Sequence, residues 1–161
     1  MKGKGNMLSK IMKKMDRGLE ALVVFLFILM VIVGGMQVFN RFVLNQSLSW
    51  SEEFQKFTHI WIIFLAIPIG YGRNSHIGME IFVSKLPRKL QTLFGYITDL
   101  LWLALALALT RYTFRIMQIA KTQTSPGLNL RMDWVYMGLF IGGAYLILMS
   151  VRKIIERTKG V

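Results

Sequence analysis

The sequence predicts an all-α membrane protein with four transmembrane helices, short interfacial amphipathic helices and both termini in the cytoplasm. Hydrophobic residues make up 54% of the 161 residues and the mean hydropathy is +0.48, which is too apolar for a small soluble domain. Four apolar runs each approach the roughly 20 residues that a helix needs to cross a bilayer. The net charge of +12 comes from basic residues that flank these runs, so we expect a bilayer and no nucleic acid as partner. The chain is therefore predicted to form one integral membrane domain over residues 1–161.

A basic segment, residues 1–18, precedes the first span, which is predicted over residues 19–40. The apolar side chains of the basic segment share one helical face, opposite a basic face, as in helices that lie on a membrane. The apolar positions are Leu8, Ile11, Met12 and Met15. An amphipathic interfacial helix is one interpretation, and a weakly ordered basic topology signal is the other.

The second span is predicted over residues 50–72, and its start carries a helix signal. Ser49-Trp50-Ser51-Glu52 matches a capping box, in which the serine caps the helix and the glutamate three positions later reaches back. Four aromatic residues then recur on one face: Trp50, Phe54, Phe57 and Trp61. An aromatic belt at the headgroups is one explanation, but the stripe is long enough that we favour packing against a partner.

The third span is predicted over residues 88–112 and contains the one carboxylate found inside an apolar run, Asp99. A short interfacial helix over residues 79–86 is expected before it, ended by Pro87. Intramembrane carboxylates are commonly functional. If the helix continues to Arg111 or beyond, however, Asp99 lies close to the inner interface. We therefore expect a structural polar contact, with ion or proton handling as the alternative.

The fourth span is predicted over residues 133–152, with Asp133 as its N-cap. Gly138 and Gly142 form a GxxxG pattern, which permits close approach of two helix backbones. The pattern alone does not identify the helix that packs there.

The basic residues also predict the orientation of the spans. Of the 20 Lys and Arg residues, 14 lie in the two termini and the second loop, and six lie in the first and third loops. Because cytoplasmic segments carry the excess of Lys and Arg, both termini are predicted to be cytoplasmic. Arg41 and Arg73 are candidates for structural polar contacts at the two surfaces, and Arg41 could pair with Glu52 or Glu53.

The residue inventory argues against an enzyme. There is no cysteine, and His59 and His76 would stand about 25 Å apart on one helix, too far to bind one haem together. We find no phosphate-binding glycine loop and no nucleophile–base pair. The spans also lack the paired interruptions of a self-sufficient transporter. The chain is thus an accessory membrane subunit; a respiratory anchor, with or without haem, and a small stand-alone exporter remain as alternatives.

Five short motifs, taken in order and spacing, resemble the small membrane subunit of the tripartite ATP-independent periplasmic (TRAP) transporters. They are Asn40-Arg41-Phe42, Ser49-Trp50-Ser51-Glu52-Glu53, Gly70-Tyr71-Gly72-Arg73, His76-Ile77-Gly78-Met79-Glu80 and Ser125-Pro126-Gly127-Leu128. The resemblance runs from about residue 39 to about residue 148 and is densest between residues 40 and 86.

The resemblance implies a small scaffold subunit that pairs as a heterodimer with a large polytopic subunit in the bacterial inner membrane. It also implies a periplasmic substrate-binding protein and the sodium-driven import of an organic anion, such as a sialic acid or a four-carbon dicarboxylate. Sodium ions are then expected in the large subunit, with no cofactor in the small one. We expect the partner contact at the outer end of the second span: Trp50, Glu52, Glu53, Phe54, Phe57 and Trp61.

Overall fold

The computed structural model describes residues 3–73 and 87–158, and the side chains of all of these except residues 3–11, 88 and 89. Four helices make up most of this part: α1 (Gly3–Phe42), α2 (Ser49–Gly72), α3 (Arg88–Ala120) and α4 (Met132–Thr158). These residues include no strand, only an isolated bridge between Thr124 and Arg131. The all-α prediction is confirmed. The interfacial helix predicted over residues 79–86 lies outside the described residues.

Three of the four helices are long and apolar enough to cross a membrane: Met12–Phe42, Leu90–Ala120 and Met132–Thr158. The 24-residue helix α2 is not among them, and its first half carries charged residues such as Glu52, Glu53 and Lys56. The part of the chain that the structure describes therefore contains three candidate spans of this kind. The crossing predicted for the second span stays a prediction.

The helices pack in the order α1, α2, α4, α3, since the closely packed pairs are α1 with α2, α2 with α4, and α4 with α3. Of these pairs, α2 and α4 run parallel: Trp61 lies over Gly138 near one end, and Gly72 contacts Met149 near the other. Both α1 and α3 run antiparallel to their neighbours. Because of this order, α1 and α3 form the two edges and expose most of the large apolar side chains.

Glycines on α4 permit the closest helix contacts. A Cβ atom on Gly142 would lie 2.1 Å from the carbonyl oxygen of Phe64 in α2, so the two backbones nearly touch there. At the next residue, Gly143, a Cβ atom would lie 2.6 Å from the hydroxyl oxygen of Thr110 in α3. The GxxxG pattern therefore meets α2, and the adjacent glycine meets α3.

One continuous helix joins the basic N-terminal segment to the first span. Met12 and Leu19 in this helix pack against a buried cluster whose members come from α2, α3 and α4. The cluster consists of Tyr71, Ala106, Tyr145, Leu146 and Met149. The start of α1 is thus tied to the other helices through its side chains.

The predicted capping box at the start of α2 is wrong. Ser49 already belongs to the helix, and Leu48 occupies the N-cap position without a side-chain hydrogen bond. Ser51 instead donates its hydroxyl to the carbonyl of Leu48, at 2.7 Å. The Ser49 hydroxyl cannot act as the cap, because the helix begins at Ser49 itself and the backbone N–H of Ser51 donates to the carbonyl of Leu48.

The prediction of Asp133 as the N-cap of the last helix is also wrong. The helix begins at Met132, which places Asp133 in its first turn. There the carboxylate accepts two hydrogen bonds from the guanidinium of Arg131, at 2.6 and 3.2 Å. A bidentate ion pair of this kind is geometrically specific and removes the carboxylate from the capping role.

Candidate functional site

The connection between α3 and α4 is anchored to the start of α2 by one glutamate. The Glu53 carboxylate oxygen Oε2 accepts hydrogen bonds from the backbone N–H groups of Gly127 and Leu128, each at 3.0 Å. A Cβ atom on Gly127 would lie only 3.1 Å from that carboxylate and 3.2 Å from the carbonyl oxygen of Ser49. A side chain at this position would therefore require the carboxylate or the Ser49 carbonyl to shift by a few tenths of an ångström.

Internal hydrogen bonds give the anchored loop a defined shape. The buried Ser125 donates its backbone N–H to Leu130 at 2.9 Å and accepts the N–H of Asn129 at 3.0 Å. Asn129 has a φ of 52°, a left-handed conformation that asparagine tolerates better than most residues. The Glu53 carboxylate thus caps a preformed turn, whereas Glu52 beside it is exposed.

The aromatic stripe on α2 is divided between two roles. Trp61 packs over Gly138 and donates its indole N–H to the carbonyl of Trp134, at 3.2 Å. Trp50 and Phe54 make an edge-to-face contact with ring centroids 6.4 Å apart. Together with Phe57 they are half-buried. Trp61 is therefore used in contacts with α4, and a partner contact through the other three aromatics stays a prediction.

A buried polar network joins α2, α3 and α4 around Asp99. Its oxygen Oδ1 accepts a hydrogen bond from the hydroxyl of Tyr71 and its oxygen Oδ2 accepts one from Nε of Arg157, both at 2.8 Å. The ring of Tyr71 lies 5.2 Å from that of Trp102 and carries the Lys153 ammonium 4.1 Å above its centroid. Each carboxylate oxygen of Asp99 thus has a protein donor, as a structural polar contact requires.

The position of the network explains how a carboxylate is tolerated in an apolar helix. The third helix continues to Ala120, eight residues beyond its predicted end, and Thr113 and Ala120 are buried in this extension. Arg157, the partner of Asp99, lies beyond the apolar part of α4 and beside other charged residues. Asp99 therefore lies toward one end of the bundle, where water and headgroups are near.

More charged contacts surround this end. Arg73 forms an ion pair with Glu20 of α1, and the hydroxyl of Tyr145 donates to Asp16. A cleft of about 320 Å³ opens between them, lined by four basic and two acidic side chains together with Ile69, Gly72 and Met149. Its charged side chains are Asp16, Arg73, Arg152, Lys153, Glu156 and Arg157. Several of these cations are already paired within the chain, which makes the cleft part of the helix-joining network.

Arg41 does not join its predicted partners. Its guanidinium lies 5.9 Å from the centroid of the neighbouring Phe42 ring, and it makes no ion pair with Glu52 or Glu53. Sequence reasoning also missed Tyr71 and Arg157 as partners of Asp99. They lie 28 and 58 residues from it along the chain, so no local spacing points to them.

The geometry at both ends serves to hold helices and loops together. Within residues 12–73 and 90–158, no group of three His, Asp or Glu side chains is placed to hold a metal ion. Among the described residues, the carboxylates of Asp16, Glu20 and Asp99 each pair with a side chain in, or immediately after, another helix. The arrangement can fix the geometry of a membrane scaffold.

Comparison with known proteins gives a family match over most of the chain. Residues 30–160 match the family described as "Tripartite ATP-independent periplasmic transporters, DctQ component". The chain is 24% identical over 141 residues to a Haemophilus influenzae protein assigned to the TRAP transporter small permeases, covering 88% of each chain. The family match over residues 30–160 includes Asp99 with Tyr71 and Arg157, and Glu53 with the loop that it anchors.

Two further relatives differ in size and in the transporter for which they are named. The sialic acid TRAP transporter small permease protein SiaQ of Vibrio cholerae is 23% identical over 156 residues, which cover 93% of this chain and 87% of SiaQ. The isethionate TRAP transporter permease protein DctMQ of Oleidesulfovibrio alaskensis is 35% identical over 83 residues. Those residues cover 50% of this chain but only 13% of that much longer protein.

Proposed function

The chain belongs to the DctQ component family of the TRAP transporters, and from this membership we propose that it is the small scaffold subunit of a sodium-driven importer of an organic anion. It is a multi-pass protein of the inner membrane. In the proposed complex it pairs with a large transport subunit, and a periplasmic binding protein delivers the substrate. The observation that carries the proposal is the family match over residues 30–160.

The longer relative supports the pairing. DctMQ of Oleidesulfovibrio alaskensis contains a region that is similar to half of this chain. That region makes up only 13% of DctMQ. A small permease part can therefore belong to one chain with a much larger permease, which requires the two to lie in the same membrane. The two exposed apolar edges of the helix row, α1 and α3, leave room for such a neighbour.

Four membrane crossings are proposed, with α2 as the fourth. This helix runs alongside α4 from Trp61 against Gly138 to Gly72 against Met149, so it passes through the same layers as a candidate span. The charged residues at its start lie next to the loop that precedes α4. The excess of Lys and Arg at the opposite end supports cytoplasmic termini.

A scaffold role is supported by what the polar side chains do. Transport sites in secondary transporters use broken helices whose unwound backbone coordinates ions near the midplane. In this chain the described helices run without such breaks, and Asp99 has donors from Tyr71 and Arg157. We therefore assign the substrate and sodium sites to the large subunit.

The proposed substrate is an organic anion of the sialic acid or four-carbon dicarboxylate type. Relatives are named for sialic acid, for C4-dicarboxylates and for isethionate. Sialic acids and dicarboxylates carry carboxylates, and isethionate carries a sulfonate, so the shared chemistry is an acidic group on a small polar molecule.

The test is co-purification followed by transport. The tagged chain is expressed with the large permease of the same organism, purified and reconstituted into liposomes with its binding protein outside. We expect a one-to-one complex that takes up a radiolabelled organic anion only with an inward sodium gradient. Uptake by this chain alone, or full uptake by the large subunit without this chain, would contradict the proposal.

A further inference from the structure

The third helix carries a second, outward stripe that none of the contacts described so far uses. The buried positions of α3 recur every seven residues and face α4: Asp99, Ala106, Thr113 and Ala120. The outward stripe lies on the far side of the helix and consists of Leu101, Ala104, Ala108, Arg111, Arg115 and Gln118, all of them exposed. Its spacing alternates between three and four residues, which is the spacing at which one helix presents a seam to another.

Two arginines on this stripe have no partner among the described residues. Neither Arg111 nor Arg115 makes an ion pair, and no hydrogen bond or cation–aromatic contact of either side chain is found in that part of the chain. By contrast, Arg73, Arg131 and Arg157 each pair with a carboxylate. The arginines on α3 are therefore cations that still need an acceptor.

The position of Arg111 along α3 places it deep in the bilayer, where an unpaired arginine is unfavourable. Gly143 lies ten residues after Asp133 and nine before Arg152, near the middle of the apolar part of α4. At about 1.5 Å per residue it is roughly 14–15 Å from either end, which is the half-thickness of a bilayer core. Thr110 contacts Gly143, so Arg111 beside it lies close to the midplane. An exposed arginine at that depth is unfavourable in lipid and pairs with protein in membrane proteins.

We infer that the outward stripe of α3 is the surface on which a transmembrane helix of the large transport subunit packs, with a carboxylate of that helix at the depth of Arg111. Ala104 and Ala108 let the partner backbone approach closely, and the arginines fix its register. Arg115 lies about 6 Å further along the axis, on the same face. This inference rests on the proposed pairing with a large subunit and specifies the face used.

The charge of the stripe distinguishes between three possible neighbours: a second copy of this chain, lipid and a different chain. A second copy of this chain, placed symmetrically, would bring the same stripe against itself. The stripe contains two arginines and no carboxylate, so such a dimer would place cations against cations without compensation. Lipid chains offer no acceptor at the midplane. A helix of a different chain that carries an acidic residue can pack closely against Ala104 and Ala108 and can pair with the arginines.

The test replaces both arginines with leucine in the tagged chain expressed with its large subunit. If the stripe faces lipid, Arg111→Leu with Arg115→Leu leaves the ratio of large subunit to small subunit unchanged. If the stripe binds the large subunit, the level of the small subunit in membranes stays the same or rises, while that ratio falls at least fivefold. As a control, Lys13→Leu with Lys14→Leu removes the same charge from exposed positions on α1 and should change the ratio less than twofold.

A crosslinking measurement keeps the inference testable if the double variant is made in low amount. A photoreactive amino acid is placed at Ala108 or, for comparison, at Val31, which is 56% exposed on α1 at the opposite edge of the row. We expect an adduct of the large subunit's mass mainly from Ala108. Equal adducts from both positions, or an adduct from Val31 alone, would overturn the inference. Failure of the wild-type chain to retain any large subunit would instead defeat the pairing itself.

Discussion

Among single residues, Asp99 makes the contacts that distinguish a scaffold from an ion pathway. Its carboxylate holds Tyr71 of α2 and Arg157 of α4 against α3. The substitution Asp99→Asn keeps an acceptor for Tyr71 but leaves the guanidinium without its counter-charge. We expect a loss of about 1–3 kcal/mol of stability, seen as a lower melting temperature and a lower yield of the complex.

Transport by the surviving Asp99→Asn complex should remain above half of the wild-type rate per complex. Arg157→Gln added to Asp99→Asn should recover part of the melting temperature, because a neutral pair leaves no unpaired charge. A complex of normal yield and melting temperature that no longer transports would instead assign Asp99 to ion handling.

Glu53 and Glu52 are neighbours with different expected roles. Glu53 accepts two backbone N–H groups from residues 127 and 128, while Glu52 is exposed. Glu53→Gln should loosen the loop over residues 121–131 and raise its rate of cleavage by an added protease several-fold. Glu52→Gln is the matched control and should leave cleavage unchanged. Equal cleavage of the two variants would remove Glu53 from its anchoring role.

These two residues also mark how far sequence reasoning reached. It singled out both Asp99 and Glu53, because a carboxylate in an apolar run and an acidic pair at a helix start are visible locally. It could not supply their partners, since Arg157 and Gly127 lie 58 and 74 residues away. Long-range contacts depend on helix order, and no short spacing in the chain encodes that order.

Among the helices, the close approach of α2 and α4 depends on one glycine. A Cβ atom on Gly142 would lie 2.1 Å from the carbonyl oxygen of Phe64, and backbone cannot yield as a side-chain tip can. Gly142→Ala should therefore destabilise the protein by about 1–3 kcal/mol through overpacking. The measurement is the melting temperature of the purified chain in detergent.

Gly70 provides the matched control for this helix pair. It lies inside α2, and a Cβ atom there would meet nothing within 4 Å. Gly70→Ala should leave the melting temperature unchanged or raise it, because alanine is the better helix former by about 1 kcal/mol. If Gly142→Ala melts as Gly70→Ala does, the two helices do not approach as closely as described.

Helix positions were predictable from the apolar runs, whereas the capping residues were not. The predicted spans over residues 50–72 and 133–152 correspond to Ser49–Gly72 and Met132–Thr158. The predicted caps at Ser49 and Asp133 fail because both residues lie inside their helices, which begin at Ser49 and at Met132. Apolar runs reflect the thickness of the bilayer, whereas the first residue of a helix depends on local backbone conformation, which an apolar run does not encode.

For the whole molecule, the parallel course of α2 and α4 has a consequence for topology. Two parallel neighbours that each cross the membrane must be joined by a third crossing, which α3 provides. With α1 antiparallel to α2, the proposed crossing by α2 gives a chain that crosses four times and has both termini on the same side. The concentration of 14 of the 20 basic residues in the termini and the second loop supports our proposal that this side is the cytoplasm.

This topology predicts the labelling of single cysteines, which the chain permits because it contains none of its own. Lys4→Cys and Lys159→Cys should be protected from a membrane-impermeant thiol reagent in intact cells and should react after the cells are opened. Gln46→Cys, in the exposed connection between α1 and α2, should react in both cases. Gln46 and the termini lie at opposite ends of helices long enough to cross the bilayer, so the two patterns cannot coincide in a spanning chain. Labelling of both termini in intact cells, with Gln46→Cys protected, would reverse the orientation; labelling of one terminus alone would show that α2 does not cross.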